Sequence, residues 1–175
     1  MKEALVKQHI IQSSTAAFKE LGFEKVTMDD IAKAANKGRS TLYYYFKNKY
    51  EVFEHVAELE YLSIIEPTKT AIQASQSLEE NLKLYNEFKL KSLISKTTAY
   101  TFLLEDIRQN INLAYYIFRK LRHIETAIFE NMLNWALDKK EITAISPEET
   151  QFLAMTMVTA LSSLEKEMLL YGSIE

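Results

Sequence analysis

Residues 27 to 49 read Thr27-Met-Asp-Asp-Ile-Ala-Lys-Ala-Ala-Asn-Lys-Gly-Arg-Ser-Thr-Leu-Tyr-Tyr-Tyr-Phe-Lys-Asn-Lys49. Thr27 with Asp30 three residues on is a capping-box pattern, in which a hydroxyl accepts from an orphan helix N–H and the carboxylate answers at the helix start. A short helix is therefore predicted from there. Ile31, Ala32 and Ala35 recur at helical spacing with small side chains, so a second helix can cross closely. Asn36-Lys37-Gly38 supplies residues that tolerate the positive φ of a tight turn. A second short helix then runs from about Arg39 to Phe46. On a wheel of 100° per residue Leu42 and Phe46 share one face, Ser40 and Tyr44 point the opposite way, and Thr41 and Tyr43 lie on the flanks.

Three consecutive tyrosines cannot all be buried on such a helix. Core packing would explain one isolated aromatic, but Tyr43, Tyr44 and Tyr45 stand beside Arg39, Ser40, Thr41, Lys47 and Lys49. Hydroxyls and cations gathered on one helix face match what phosphate oxygens and base edges require. The string Thr41-Leu-Tyr-Tyr-Tyr-Phe-Lys-Asn-Lys49, preceded by Phe23, Thr27, Ile31 and Ala32, resembles the signature of the TetR family of bacterial transcriptional regulators over about the first 55 residues. That resemblance implies an all-α fold, with an N-terminal three-helix helix-turn-helix module and a C-terminal helical ligand-binding and dimerisation domain. It also implies phosphate contacts at Thr27, Thr41, Tyr43, Tyr45 and Lys49, and base contacts at Arg39, Ser40 and Tyr44. The sequence departs from the family pattern at the turn. Asn36-Lys37-Gly38 lacks the usual apolar anchor and the hydroxyl that ordinarily caps the second helix.

The 175 residues suffice for one small module and one larger domain. Three Gly and two Pro in a chain rich in Leu, Ala, Glu, Lys and Ile argue for helix nearly throughout. With no cysteine, disulfides and thiolate metal sites are excluded. No apolar leader or run of membrane-spanning length is seen, so no membrane partner and a cytoplasmic location are expected. The net charge of −3 conceals an asymmetry, because residues 1–50 carry nine Lys or Arg against five Asp or Glu while the remainder carries twelve against nineteen. The basic character coincides with the motif.

The first helix is expected from Lys2 to about Leu21, with Gly22 to end it. A long helix from Lys49 or Tyr50 should run toward Pro67, whose ring disrupts a helix interior. Residues 68–76 read as a short helix or turn. Ser77 caps a helix to about Ile94, Thr97 or Thr98 caps a further one to about Arg108, and Asn110 to Lys139 forms another. Ser146-Pro147-Glu148-Glu149 combines an N-cap, a first-turn proline and an N3 glutamate, marking a final helix to about Tyr171. The expected division is residues 1–48 for the helix-turn-helix domain and 49–175 for the effector and dimerisation domain.

The final helix reads as apolar on two sides. Leu153, Met157, Leu161, Leu164, Met168 and Tyr171 form one stripe, expected to face the helix's own core. Phe152, Met155, Thr156, Thr159 and Ser163 form a second, for which a homodimer is the natural cover. Tyr85, Phe88, Tyr100, Phe102, Tyr115, Tyr116, Phe118 and Trp135 could line a pocket for a small hydrophobic or amphipathic effector, although each taken singly is as well explained by core packing. His9, His55 and His123 read as ordinary histidines, and Glu105-Asp106 diverge by about 100° on a helix. No phosphate loop, nucleophile elbow or zinc spacing occurs, so neither enzyme activity nor a metal or cofactor is expected. The sequence thus points to a homodimeric regulator of double-stranded operator DNA, released by a ligand. The alternatives are an activator or effector-blind regulator of the same fold, or a helical binding protein or enzyme without DNA binding.

Overall fold

The computed structural model describes residues 2–99 and 111–168, with the backbone alone at residues 97, 111–118 and 120. Seven helices and no strand occur among the described residues: α1 (Lys2–Lys25), α2 (Met28–Ala34), α3 (Arg39–Tyr45), α4 (Lys49–Ala71), α5 (Leu78–Ala99), α6 (Ile111–Asp138) and α7 (Pro147–Lys166). The chain forms two compact units, one of Met1–Tyr61 with Lys96–Ile117, the other of Leu62–Ser95 with Phe118–Glu175. None of the described helices is long and apolar enough to cross a membrane.

In the first unit α1 bends at Gly22, which takes φ 77° and ψ 162°. That left-handed φ is open to glycine without a Cβ penalty. The bend carries Phe23 and Val26 inward, where they join Ile10, Phe18, Ile31, Leu42, Phe46 and Phe53 in one buried cluster. Phe53 meets Phe18 edge-on at 5.0 Å and lies 4.8 Å from Phe23 between ring centroids, a geometry aromatic pairs favour. The His9 ring nitrogen lies 3.0 Å from the Ala35 carbonyl and ties α1 to the end of α2.

In the second unit each helix start is capped as its sequence predicts. Ser77 with Glu80 and Ser146 with Glu149 make reciprocal pairs, the serine oxygen accepting from the glutamate N–H at 3.2 Å in both. Asn81 is buried and clamps the end of α4 to α5, accepting from the Gln73 N–H and donating to the Gln73 carbonyl, both at 2.9 Å.

Three expectations are corrected. α4 passes through Pro67 to Ala71, because the ring deletes one backbone bond near the helix end while Ile64, Ile65, Thr68 and Ile72 are buried along the same face. α5 does not break at Thr97 or Thr98 but continues to Ala99. The further helix expected to Arg108 lies outside the described residues. In α7 the inward positions are Thr150, Ala154 and Val158, whereas Leu153 and Leu164 are exposed. Small side chains let α7 approach its neighbours closely, and the phase they set turns Glu165 inward as well.

That inward carboxylate completes a buried polar cluster. The Tyr85 hydroxyl on α5 donates to Glu125 on α6 at 2.8 Å, and the Lys89 ammonium pairs with both Glu125 and Glu165, the latter at 2.8 Å. Burial raises the Tyr85 hydroxyl pKa well above its ordinary value and also raises that of the Glu165 carboxyl, although Lys89 opposes the latter shift. A buried ion group of this kind costs desolvation, and removing the Lys89 cation leaves buried carboxylates without their direct partner. Lys89→Met should therefore lose about 3–5 kcal/mol at pH 7 by urea denaturation. The raised Glu165 carboxyl fixes the sign: folding then favours its protonated form, so stability in the variant falls as pH rises, and the loss should be smaller at pH 5.

Candidate nucleic-acid interface

The helix-turn-helix is built from two helices of seven residues each, too short to be stable alone, since isolated helices below about 12–15 residues are marginal in water. Local bonds start α2. The Asp30 N–H donates to the Thr27 hydroxyl oxygen at 3.2 Å, and the Asp30 carboxylate accepts from the Thr27 hydroxyl at 2.6 Å and from its N–H at 2.9 Å. Those bonds hold the Asp30 carboxyl below its ordinary pKa. The turn takes its positive φ at Asn36, 47°, and not at Gly38, which is the extended N-cap of α3 with φ −69°. Gly38 offers no side-chain cap, as the missing hydroxyl in the sequence implied. Burial therefore holds α3 in place, through Leu42 within it and Phe46 at its C-cap.

With that face inward, the opposite one is presented outward. Arg39, Ser40, Tyr43 and Tyr44 are exposed, Tyr44 at 71%, while Thr41 and Tyr45 are half-buried at the flanks. Tyr45 packs against the core and meets Tyr44 edge-on at 4.9 Å. The Arg39 guanidinium lies over the Tyr43 ring at 5.8 Å and pairs with Asp29 of α2 at 3.3 Å. Both partners of that pair are solvated, so it contributes little to stability and yields readily to a competing contact.

Two of the proposed phosphate positions are engaged within the chain. The Thr27 hydroxyl is committed to the α2 cap, and the Lys49 ammonium donates to the Phe23 and Glu24 carbonyls at 2.8 and 2.9 Å while lying 4.7 Å from the Phe23 ring centroid. Lys49 thus caps the C-terminal end of α1, where a cation also meets the negative end of the helix dipole. Sequence reasoning missed three carboxylates here. Asp29 holds Arg39, and Glu3 accepts from the Tyr44 hydroxyl at 2.9 Å across 41 positions of sequence, a separation no local pattern discloses. Glu51 was legible, because Asn48-x-x-Glu51 is a cap pattern: the Glu51 N–H donates to the Asn48 side-chain oxygen at 3.1 Å, and the Glu51 carboxylate accepts from the Lys47 N–H at 2.6 Å.

The other candidates fall as follows. Tyr85 is buried with its hydroxyl committed to Glu125, Phe88 is 39% exposed, and Trp135 is half-buried. Tyr115, Tyr116 and Phe118 belong to α6 by backbone, but their side chains lie outside the description, as do Tyr100 and Phe102 altogether. Phe152, Met155, Thr156, Thr159 and Ser163 are all exposed along α7, with Thr159 accepting from Arg122 of α6. Tyr171 lies outside the described residues. His55 pairs with Glu58, three residues on, at 3.6 Å. Among the described residues no three His, Asp or Glu side chains gather as a metal site.

Residues 10–56 match the family described as bacterial regulatory proteins, tetR family. The chain is 33% identical over 76 residues to the uncharacterised HTH-type transcriptional regulator YhgD of Bacillus subtilis, covering 43% of this chain and 40% of that protein. It is 36% identical over 53 residues to IcaR, the HTH-type negative transcriptional regulator of the icaADBC biofilm operon in Staphylococcus epidermidis, covering 30% and 29% respectively. The aligned stretches thus span less than half the length of either relative. In fold it is similar to the fatty acid degradation regulator FadR of Bacillus halodurans, with a TM-score of 0.62 at 18% identity over 97% of this chain and 86% of that one.

The capping role of Lys49 can be tested. Lys49→Met should lower stability by about 1 kcal/mol or more, since charged hydrogen bonds to the α1 carbonyls are lost, whereas the exposed Tyr43→Phe should leave the urea midpoint unchanged.

Proposed function

We infer that this chain, whose N-terminal module belongs to the tetR family of bacterial regulatory proteins, is a sequence-specific DNA-binding transcriptional regulator, a ligand-released repressor working as a homodimer on a near-palindromic operator. The observation that carries this reading is the two-sided α3: Leu42 is buried beneath it while Arg39, Ser40, Tyr43 and Tyr44 project to solvent. Side chains of this kind meet base edges and phosphates when such a helix lies in the major groove. Residues 1–48 are the DNA-binding domain on this reading, and 49–175 the effector and dimerisation domain. Repression is favoured by the likeness to IcaR, a negative regulator by name.

Dimerisation through α7 is supported by its exposed face, where Phe152 is 66% and Met155 42% accessible beside Thr156, Thr159 and Ser163. Apolar area of that kind gains stability when another surface covers it. Two recognition helices related by a two-fold axis would read half-sites about 34–36 Å apart. The effector is a small hydrophobic or amphipathic molecule taken up among the aromatic residues beyond Tyr85. For release, it must bind the DNA-incompetent state more tightly, and a coupling of about 1–3 kcal/mol shifts operator affinity roughly 5- to 150-fold.

Binding-site selection from random or genomic DNA tests the central claim. Wild-type protein should enrich a palindromic site whose affinity falls steeply with salt, and enrichment of no sequence would remove the function. Arg39→Ala should relax preference at particular positions by about 1–3 kcal/mol, whereas Tyr43→Phe should weaken all sequences alike. Ser163→Lys should shift sedimentation toward monomer and weaken operator binding with it. Full operator affinity from a monomer would contradict the dimer.

A further inference from the structure

At the N-terminus of α1 a carboxylate, that of Glu3, holds the exposed Tyr44 side chain of α3. Tyr44 carries its ring outward, braced edge-on against Tyr45 at 4.9 Å, and its hydroxyl donates to Glu3 Oε1 at 2.9 Å. A phenol has one proton to give and lone pairs with which to accept. Once the proton is committed to Glu3, the hydroxyl can only accept. The ionised Glu3 carboxylate is also acceptor-only, so the pair presents no donor from its interacting oxygens.

We propose that Glu3 is a specificity-determining positioning residue, which fixes the polarity of Tyr44 so that the pair reads an exocyclic amino group, that of adenine or cytosine, in the major groove. The proposal rests on the DNA-reading function above. The base edges make the choice sharp. Adenine N6 and cytosine N4 are the major-groove donors, whereas guanine offers N7 and O6 and thymine offers O4, all acceptors. An acceptor-only pair gains a hydrogen bond from the first two and meets lone pairs on the other two. The bond to Glu3 also raises the Tyr44 pKa above its ordinary value. An anionic acceptor makes a shorter, stronger bond than a neutral one, which favours this orientation over one that points the proton at a base. The same carboxylate repels nearby phosphates, so Glu3 trades overall affinity for selectivity.

The test is site selection, read by sequencing, with wild type, Tyr44→Phe, Glu3→Ala, Glu3→Gln and the double variant Glu3→Ala/Tyr44→Phe. Wild type should show one position per half-site restricted to A or C, and Tyr44→Phe should relax that position by about fivefold or more, the lower end of what one base contact carries. Glu3→Ala should relax the same position to admit G and T while raising affinity for non-specific DNA, a combination that mere unfolding would not produce. Glu3→Gln keeps an oxygen for the Tyr44 proton but adds an amide donor, so it should keep the preference only in part while also gaining non-specific affinity. The double variant should be no less selective than either single one, because the two residues act as a unit. Both side chains are exposed, so urea midpoints should not move. The proposal is overturned if Glu3→Ala leaves unchanged the position that Tyr44→Phe alters, if that position prefers G or T in the wild type, or if Tyr44→Phe alters no position. Failure of the wild type to enrich any sequence would instead overturn the DNA-reading function itself.

Discussion

The N-terminal module depends on the burial of Leu42 and Phe46 against the aromatic core of α1 and α4. α3 has seven residues and no side-chain N-cap, so neither length nor local bonding can hold it. What fixes it is that Leu42 and Phe46 are fully buried, in one cluster with Phe18, Phe23 and Phe53. Burying such side chains contributes about 1.5–3 kcal/mol each, more than a typical cap. Once two residues four apart are held inward, helix geometry leaves Ser40 and Tyr44 nowhere to point but outward. The outward face is thus a consequence of the core, and a change beneath α3 would displace it as surely as a change upon it.

The two units use charge in opposite ways. Around α3 the pairs are solvated: Arg39 with Asp29 and Tyr44 with Glu3 rest on the surface, where water or another partner can compete for them at small cost. In the second unit Lys89, Glu125 and Tyr85 are almost wholly buried and, with Glu165, satisfy one another across α5, α6 and α7. There the geometry is held by the expense of breaking it, since an unpaired charge would be left inside. Surface pairs suit exchange, and buried ones suit register between helices.

Much of the module was legible in the sequence because its signals are local. The Thr27–Asp30 box, the Arg39 start of α3 and the inward pairing of Leu42 with Phe46 all lie within a few residues, where helix periodicity and cap chemistry act. The Ser77 and Ser146 caps were readable for the same reason. Pro67 misled because a ring near the helix end costs one bond, and burial of Ile64, Ile65 and Thr68 outweighs it. The α7 face was not legible because apolar size singles out Leu153 and Leu164, whereas close approach of the helices buries the smaller Ala154 and Val158.

By itself, then, the sequence determined the helical class, the turn, the residue types on the outward face of α3 and the match to residues 10–56, since each follows from spacing along a single helix or its cap. Only the tertiary structure decided which partners those residues keep: Lys49 on the carbonyls that end α1, Glu3 on Tyr44 across 41 positions, and Glu165 turned in to Lys89. Such contacts join side chains far apart in sequence. Their existence depends on how whole helices pack, and periodicity within one helix carries no information about what the next one brings beside it.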